Sequence, residues 1–213
     1  EAEGYRVAFL PQPDWHSADA FLAMGKPRLA VMLSSGNLDS MVAHYTAAKK
    51  RRRQDAYSPG YQTGLRPDRA VIVYANRVRE AFSDTPLIIG GLEASLRRFA
   101  HYDYWSNQVR RAILFDARAD LLIYGMGEAA TLEIAAQLNA GVPVSDITTV
   151  RGTSFAARER EACVYPWVEV PSYEEVKADK VAYAEANQVE YEEHDPVRGK
   201  AILQKHGNRW LVT

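Results

Sequence analysis

Apolar positions along this chain follow two alternating rhythms. Four runs are short, almost continuously apolar and closed by Gly, Ser or Pro: "YRVAFLPQ" (5–12), "RLAVMLSS" (28–35), "TPLIIGG" (85–91) and "ADLLIYG" (119–125). That pattern predicts parallel strands covered on both faces. Between them lie segments of helical period. "HSADAFLAMG" starts near His16–Ser17, and "NLDSMVAHYTAAKKRRR" starts near Asn37. In "RPDRAVIVYANRVREAF" the β-branched run suggests a strand, but Val71, Ala75, Val78 and Phe82 share one helical face and Pro67 suits a first turn. "SNQVRRAILFDA" has Ser106 as its cap, and "EAATLEIAAQLNAG" puts Ala130, Ile134 and Leu138 in one stripe before Gly141.

Strands alternating with helices predict an α/β fold, a Rossmann-like or flavodoxin-like parallel sheet with flanking helices. The chain opens on "EAEG", which reads as a last helical turn with Gly4 as its C-cap, and closes inside a strand, "RWLVT". Both ends are expected to continue, with a first strand before Glu1 and about five strands in all. Ligands on such sheets sit beyond the carboxyl ends of the strands, where "LSSGNLDS", "GGLEAS" and "GMGE" fall. After about Val150 the pattern changes. "ITTVRGTSFAA" reads as extended and "YPWVEVPS" as a proline-marked linker. Ser172 and Glu175 form a capping box for one long helix through Glu193, and two strands flank a hairpin turn at Gly207–Asn208. The expected organisation is an N-terminal domain over 1–150 and a linker, helix and hairpin over 151–213.

Composition narrows the function. A net charge of −1 over 213 residues supplies no field for nucleic acid or anionic lipid, and no apolar run approaches a membrane span. The single cysteine, Cys163, excludes an internal disulfide and any zinc or iron–sulfur site built from this chain's cysteines alone; a cytoplasmic setting follows most simply. "KKRRR" (49–53) is a solvated helix end or a phosphate contact, followed by a mobile Gly- and Pro-rich stretch over 54–68; with no base-reading pattern beside it, nucleic-acid binding is disfavoured. "GMGEAA" fits a loose dinucleotide fingerprint through Gly127, but Glu128 sets a carboxylate where a pyrophosphate belongs. In "EEHDP" (192–196), helix termination before Pro196 is favoured over a metal site at His194.

The densest chemistry lies just after the third strand. Gly90 and Gly91 permit close backbone approach; Glu93, Arg97, Arg98, His101 and Asp103 supply charge; Phe99, Tyr102, Tyr104 and Trp105 supply flat surfaces. Two readings stand: a ligand- or domain-facing surface, or an ion-pair network that staples the loop to the sheet. Gly90, Gly91, Glu93, Arg97, Arg98, His101, Asp103, Tyr104 and Trp105, with Ser35, Asn37, Gly127 and Glu128 from the neighbouring loops, are the ligand- or barrel-facing candidates.

Long stretches, among them "PLIIGGLEASLRRFAHYDYWSNQVRRAILFDARADLLIYGMGE" and "YEEVKADKVAYAEANQVEYEEHDPVRGKAILQKHGNRWLV", closely resemble the N-terminal part of YgiQ-type radical SAM proteins. More broadly, "IIGG" followed by "ADLLIYGMGE" resembles the cobalamin-binding-like domain that precedes many radical SAM barrels. The resemblance implies a full-length protein in which a CxxxCxxC motif, beyond these residues, holds a [4Fe-4S] cluster that binds and cleaves S-adenosylmethionine. It implies that this chain's partner is its own C-terminal radical SAM domain, that catalysis lies outside the fragment, and that the substrate is unknown. Cobalamin is a weaker implication. Ser34 or Ser35 with Leu38 loosely matches one element of the cobalamin pattern and Gly90–Gly91 another, while the 49–68 insert and the bulky 93–105 loop depart from an open groove. A nucleotide-binding module, or a nucleic-acid-binding module led by Lys49–Arg53, would also be compatible with the residues.

Overall fold

A computed structural model describes residues 1–195 and 197–213. After a short helix α1 (Asp19–Leu22) come strand β1 (Val31–Leu33), α2 (Ser40–His44), α3 (Ala70–Ala81), β2 (Leu87–Ile89) and α4 (Gly91–Ser95). A small ribbon, β3 (His101–Asp103) and β4 (Gln108–Arg110), leads to α5 (Ile113–Asp116), β5 (Leu121–Ile123) and α6 (Glu128–Asn139). The remainder is β6 (Thr153–Ala157), β7 (Trp167–Val170), α7 (Tyr173–Ala178), α8 (Lys180–Glu192), β8 (Ala201–His206) and β9 (Arg209–Val212).

One sheet of seven strands organises the chain, in the order β1-β2-β5-β6-β9-β8-β7. β1, β2 and β5 run parallel, with Val31 opposite Leu87 and Ile88 opposite Leu121. β6 turns antiparallel onto β5, β9 pairs antiparallel with β6, and β7 and β8 are parallel to each other. Strands from both sides of residue 150 therefore share one hydrogen-bonded sheet. This is an α/β Rossmann-like architecture with a parallel core and a mixed extension.

The continuous apolar runs have the cause the sequence suggested. Leu87 and Ile89 face a core that includes Val71, Tyr74 and Ile113, while Ile88, Leu121 and Ile123 face a second core with Ile134 of α6. A strand buried on both faces has no polar alternation to display. The α3 stripe behaves as expected, with Val71, Ala75, Val78 and Phe82 all buried. The capping box forms, the Ser172 side chain accepting from the Glu175 amide. At the β8–β9 turn Gly207 takes φ +62°, which suits the first central residue of a two-residue hairpin.

Other expectations fail for local reasons. Residues 5–12 form no strand: Val7 is 58% and Phe9 79% exposed. Pro11 has no amide hydrogen to give a ladder, and Gln12 turns to φ +43°. α2 stops at His44, so "KKRRR" is a loop clasped by a bridge between Tyr45 and Arg51, not a helix end. The 54–68 stretch is anchored by buried Asp55 and Arg66. The segment from Ser106 first makes β4, and helix begins only at Ile113. "YPWVEVPS" contributes the edge strand β7. The long helix breaks at Asp179, which leaves helical geometry (φ −131°, ψ 128°) and caps α8 by accepting from the Val181 amide. The expected stop before Pro196 falls outside the described residues; α8 ends at Glu192.

Candidate functional site

The carboxyl ends of β1, β2 and β5 gather the loops 34–39, 90–100 and 124–127. The close approach that glycine allows here is made to the chain itself. A Cβ on Gly90 would lie 3.2 Å from the Ile123 carbonyl oxygen, one on Gly91 3.0 Å from Ser34 Cβ, and one on Gly127 2.7 Å from Ile123 Cγ2. Gly91 also holds φ +77°, a conformation side chains rarely adopt.

The charged residues after Gly91 divide into two groups. Glu93 is 1% exposed and points inward. One carboxylate oxygen accepts from the Ser40 amide at 2.9 Å and the other from the Val71 amide at 3.0 Å, so a single side chain serves the first turns of α2 and α3. Ser40 Oγ accepts from the Ala70 amide, tying the same two helices together. Asp39 caps α2 through the Met41 and Val42 amides and accepts from Arg97, whose guanidinium also donates to the Glu93 carbonyl. Asp103 accepts from Arg69 at 2.6 Å, from Ser106 Oγ and from the Trp105 amide. Burial pulls Asp103 upward, but those hydrogen bonds and the Arg69 charge outweigh it and hold the carboxyl at about 2. His101 is pushed down by burial, with Arg97 and Arg110 adding to the effect against the Phe99 carbonyl and Asp103. Arg69, Arg97, Arg110 and His101 line a cavity of only about 10 Å3, room for one water. Each of those arginines already meets a carboxylate: Asp103, Asp39 and Asp116 respectively.

The aromatics of the loop also hold protein. Trp105 packs on Tyr45 with ring centroids 4.1 Å apart, Tyr104 Oη donates to the Ala47 carbonyl, and Lys49 donates to the Trp105 carbonyl while lying over the Tyr104 ring. Arg52 Nε donates to the Val42 and Tyr45 carbonyls. Three members of the basic run are thus engaged with the protein itself, since Arg51 lies over the Tyr45 ring.

A second set of residues faces the sheet's edge. Arg98 lies 4.9 Å from the Phe99 ring and 5.0 Å from the Tyr124 ring and donates to the Ser95 carbonyl, while its Nε is buried without a partner among the described residues. Burial pushes Glu190 of α8 up to about 7 against the opposing pull of Arg98. Leu92 of α4, Leu96 at its C-terminal cap and Met126 on the loop after β5 are exposed, Met126 at 89%, on the segments that follow the neighbouring strands β2 and β5. Asn37 and Glu128 are exposed there too, Glu128 in the first turn of α6. Ser35 is buried, its hydroxyl donating to the Leu38 carbonyl and its carbonyl accepting from Arg66.

One buried cluster has no signature in the sequence. His44 Nδ1 lies 2.8 Å from Asp68, which also accepts from Tyr45 Oη. Arg66 makes a bidentate pair with Asp55, both at most 2% exposed, and His44 Nε2 sits 3.9 Å from Asp55. These partners lie 11 to 24 residues apart, His44 at the end of α2 and the others in the connection that follows, with no periodic signal to join them.

The metal and cofactor expectations meet this geometry as follows. Among the described residues no group of three His, Cys, Asp or Glu side chains could hold a metal ion, and Cys163 is buried. An iron–sulfur cluster therefore has no ligand set here. Cobalamin fits poorly, because Gly90, Gly91 and Ser35 are spent on contacts within the chain. No helix among the described residues is long and apolar enough to cross a membrane.

A Rossmann-like sheet whose carboxyl-edge loops lock onto one another defines this chain as an α/β domain. The family model for the radical SAM N-terminal domain matches residues 1–213, and the chain belongs to that family. It is 52% identical over its whole length to a UPF0313 protein of Clostridium botulinum (strain 657 / Type Ba4), covering 33% of that protein. A UPF0313 protein of Geobacter sulfurreducens is 50% identical with 35% covered, and one of Clostridium perfringens 48% with 32% covered. The chain thus spans about a third of the length of the curated relatives it matches. No solved structure matches it.

Proposed function

We propose that this chain is the accessory domain of a radical SAM enzyme of the YgiQ type, and that the carboxyl edge of its sheet covers the mouth of the catalytic domain in the same protein. The observation that carries this reading is the exposure of Leu92, Leu96 and Met126 on the segments that follow the neighbouring strands β2 and β5. Exposed apolar side chains grouped on adjacent segments are typical of a surface that another domain covers. Glu93, Arg97 and Asp103 support the edge from beneath, and Arg98 lies half-buried over the Phe99 and Tyr124 rings with no carboxylate in ion-pair range among the described residues. The [4Fe-4S] cluster and S-adenosylmethionine belong to the remainder of the full-length protein, and the cysteine-poor composition of this chain agrees with that division.

The test uses the complete protein, reconstituted anaerobically with iron and sulfide and reduced. Its electron paramagnetic resonance spectrum is recorded with and without S-adenosylmethionine. A cluster signal that shifts on addition supports the radical SAM assignment; a folded protein with no cluster overturns it. In the same protein, Leu96→Asp should weaken protection of the carboxyl-edge loops from hydrogen exchange. Unchanged protection would place the covering surface elsewhere.

A further inference from the structure

A larger cleft lies at the opposite, amino end of β5. It measures about 640 Å3 and is walled by α5 and the turn after it, the β8–β9 hairpin and the start of α7. That volume falls within the range of small-molecule sites. From the chemistry of its lining we infer that this cleft binds a small planar aromatic anion, a ring carrying a phosphate-like group in the manner of a purine mononucleotide.

Charge on the walls is unevenly committed. Arg118 is exposed, and its guanidinium makes no ion pair or hydrogen bond among the described residues. Its backbone is nevertheless pinned, because its carbonyl accepts twice from Arg79. Arg209 has a single long hydrogen bond, 3.4 Å to the Ala156 carbonyl, and lies over the Phe115 ring. Arg111 uses Nε on Asp116, leaving its outer nitrogens. The carboxylates of the cleft are already engaged: Asp120 accepts from Arg79 and the Leu87 amide, and Glu174 accepts from the Gly207 amide. A guanidinium without an acceptor at Arg118, one held by a single long hydrogen bond at Arg209 and the outer nitrogens of Arg111, on separate walls of one cleft, suit the oxygens of a phosphate.

The aromatic component comes from a stack. The His206 ring lies parallel to Tyr173, 5.5 Å between centroids, and 4.7 Å from Phe115. Phe115 and Tyr173 are half-buried, so part of each ring remains open to a partner. His206 is 8% exposed, and its Nε2 faces Gln204 Oε1 at 3.1 Å. Gln204 Oε1 is an acceptor, so Nε2 carries the proton and Nδ1 is a lone pair. That Nδ1 is buried with no partner among the described residues. Burial, with the Arg111 charge adding to it against Asp116, pushes His206 down to about 4, so the ring is neutral near pH 7. An unpaired buried acceptor in a cleft-lining ring is complementary to an N–H donor such as an exocyclic amine.

Binding in this cleft does not depend on the proposed function. The test is isothermal titration calorimetry on the full-length protein, with S-adenosylmethionine saturating so that any site for it is filled. The probes are adenosine 5′-monophosphate, adenosine and inorganic phosphate. Adenosine 5′-monophosphate should bind more tightly than either half. Arg118→Ala with Arg209→Ala should weaken it at least tenfold with little change in the unfolding midpoint, since Arg118 makes no side-chain hydrogen bond or ion pair among the described residues and Arg209 only one long hydrogen bond and a ring contact. His206→Phe, which keeps the stack and removes the acceptor, should weaken adenosine 5′-monophosphate without altering phosphate. Absence of binding at millimolar probe, binding undiminished in the double variant, or phosphate binding as tightly as the mononucleotide would each overturn the inference.

Discussion

Replacing Glu93 by alanine tests whether the charged loop is a scaffold or a reactive surface. The carboxylate is buried and accepts from the Ser40 and Val71 amides, at the first turns of α2 and α3. Alanine strands both donors in a site that water does not reach. Hydrogen bonds to a charged group contribute about 1.5–3 kcal/mol each, so the two together are worth roughly 3–6 kcal/mol. Against a typical domain stability of about 5–15 kcal/mol, the variant stays folded but opens readily. The opening should be local, centred on the helix starts that lose their acceptor. Hydrogen exchange read by mass spectrometry on the full-length protein resolves it. Peptides covering 40–44 and 70–75 should exchange at least about 100-fold faster, since each 1.4 kcal/mol is tenfold. Glu93→Gln keeps one acceptor and should show roughly half the free-energy effect. Arg98→Ala should leave those peptides unchanged, because its one hydrogen bond runs to the Ser95 carbonyl. Wild-type exchange in both peptides of Glu93→Ala would refute the scaffold role.

Other perturbations follow the same physics. Arg66→Ala leaves the Asp55 carboxylate buried and unpaired, a loss of about 3–5 kcal/mol; soluble yield and the chemical unfolding midpoint should both fall, and an unchanged midpoint would contradict the pair's importance. Asp103 is held at about 2 against an ordinary 3.8, so the stability it contributes is present above about pH 4 and is lost as pH falls through 2. That contribution is about 2 kcal/mol, and Asp103→Asn should flatten the acid limb of a stability–pH curve; parallel curves would count against it. Ser172→Ala removes the capping box of α7 and should cost about 1 kcal/mol, read as a lower urea midpoint; no change would mean the helix start is held by packing alone.

Several elements were legible because their causes are local. "LII" and "LLI" announce strands buried on both faces, the Val71–Ala75–Val78–Phe82 stripe announces a helix despite its β-branched residues, and Gly207–Asn208 announces a hairpin. The charged loop was legible as a concentration of chemistry, and both its readings were open. The tertiary structure divided it, tying Glu93, Arg97 and Asp103 to protein partners and laying Arg98 over the Phe99 and Tyr124 rings, because only packing sets which helix start lies within reach of a carboxylate.

What the chain alone determined is its alternation of elements and its cysteine-poor, nearly neutral composition, since period, turn chemistry and charge are properties of neighbouring residues. What only the tertiary structure decided is pairing at a distance. Residues 5–12 have the composition of a strand but stay unpaired, while "YPWVEVPS" becomes an edge strand because β8 lies beside it. The His44–Asp68 and Arg66–Asp55 contacts close the one long connection between α2 and α3 on itself, the amino-end cleft arises where segments far apart in sequence meet, and no local pattern encodes either set of neighbours.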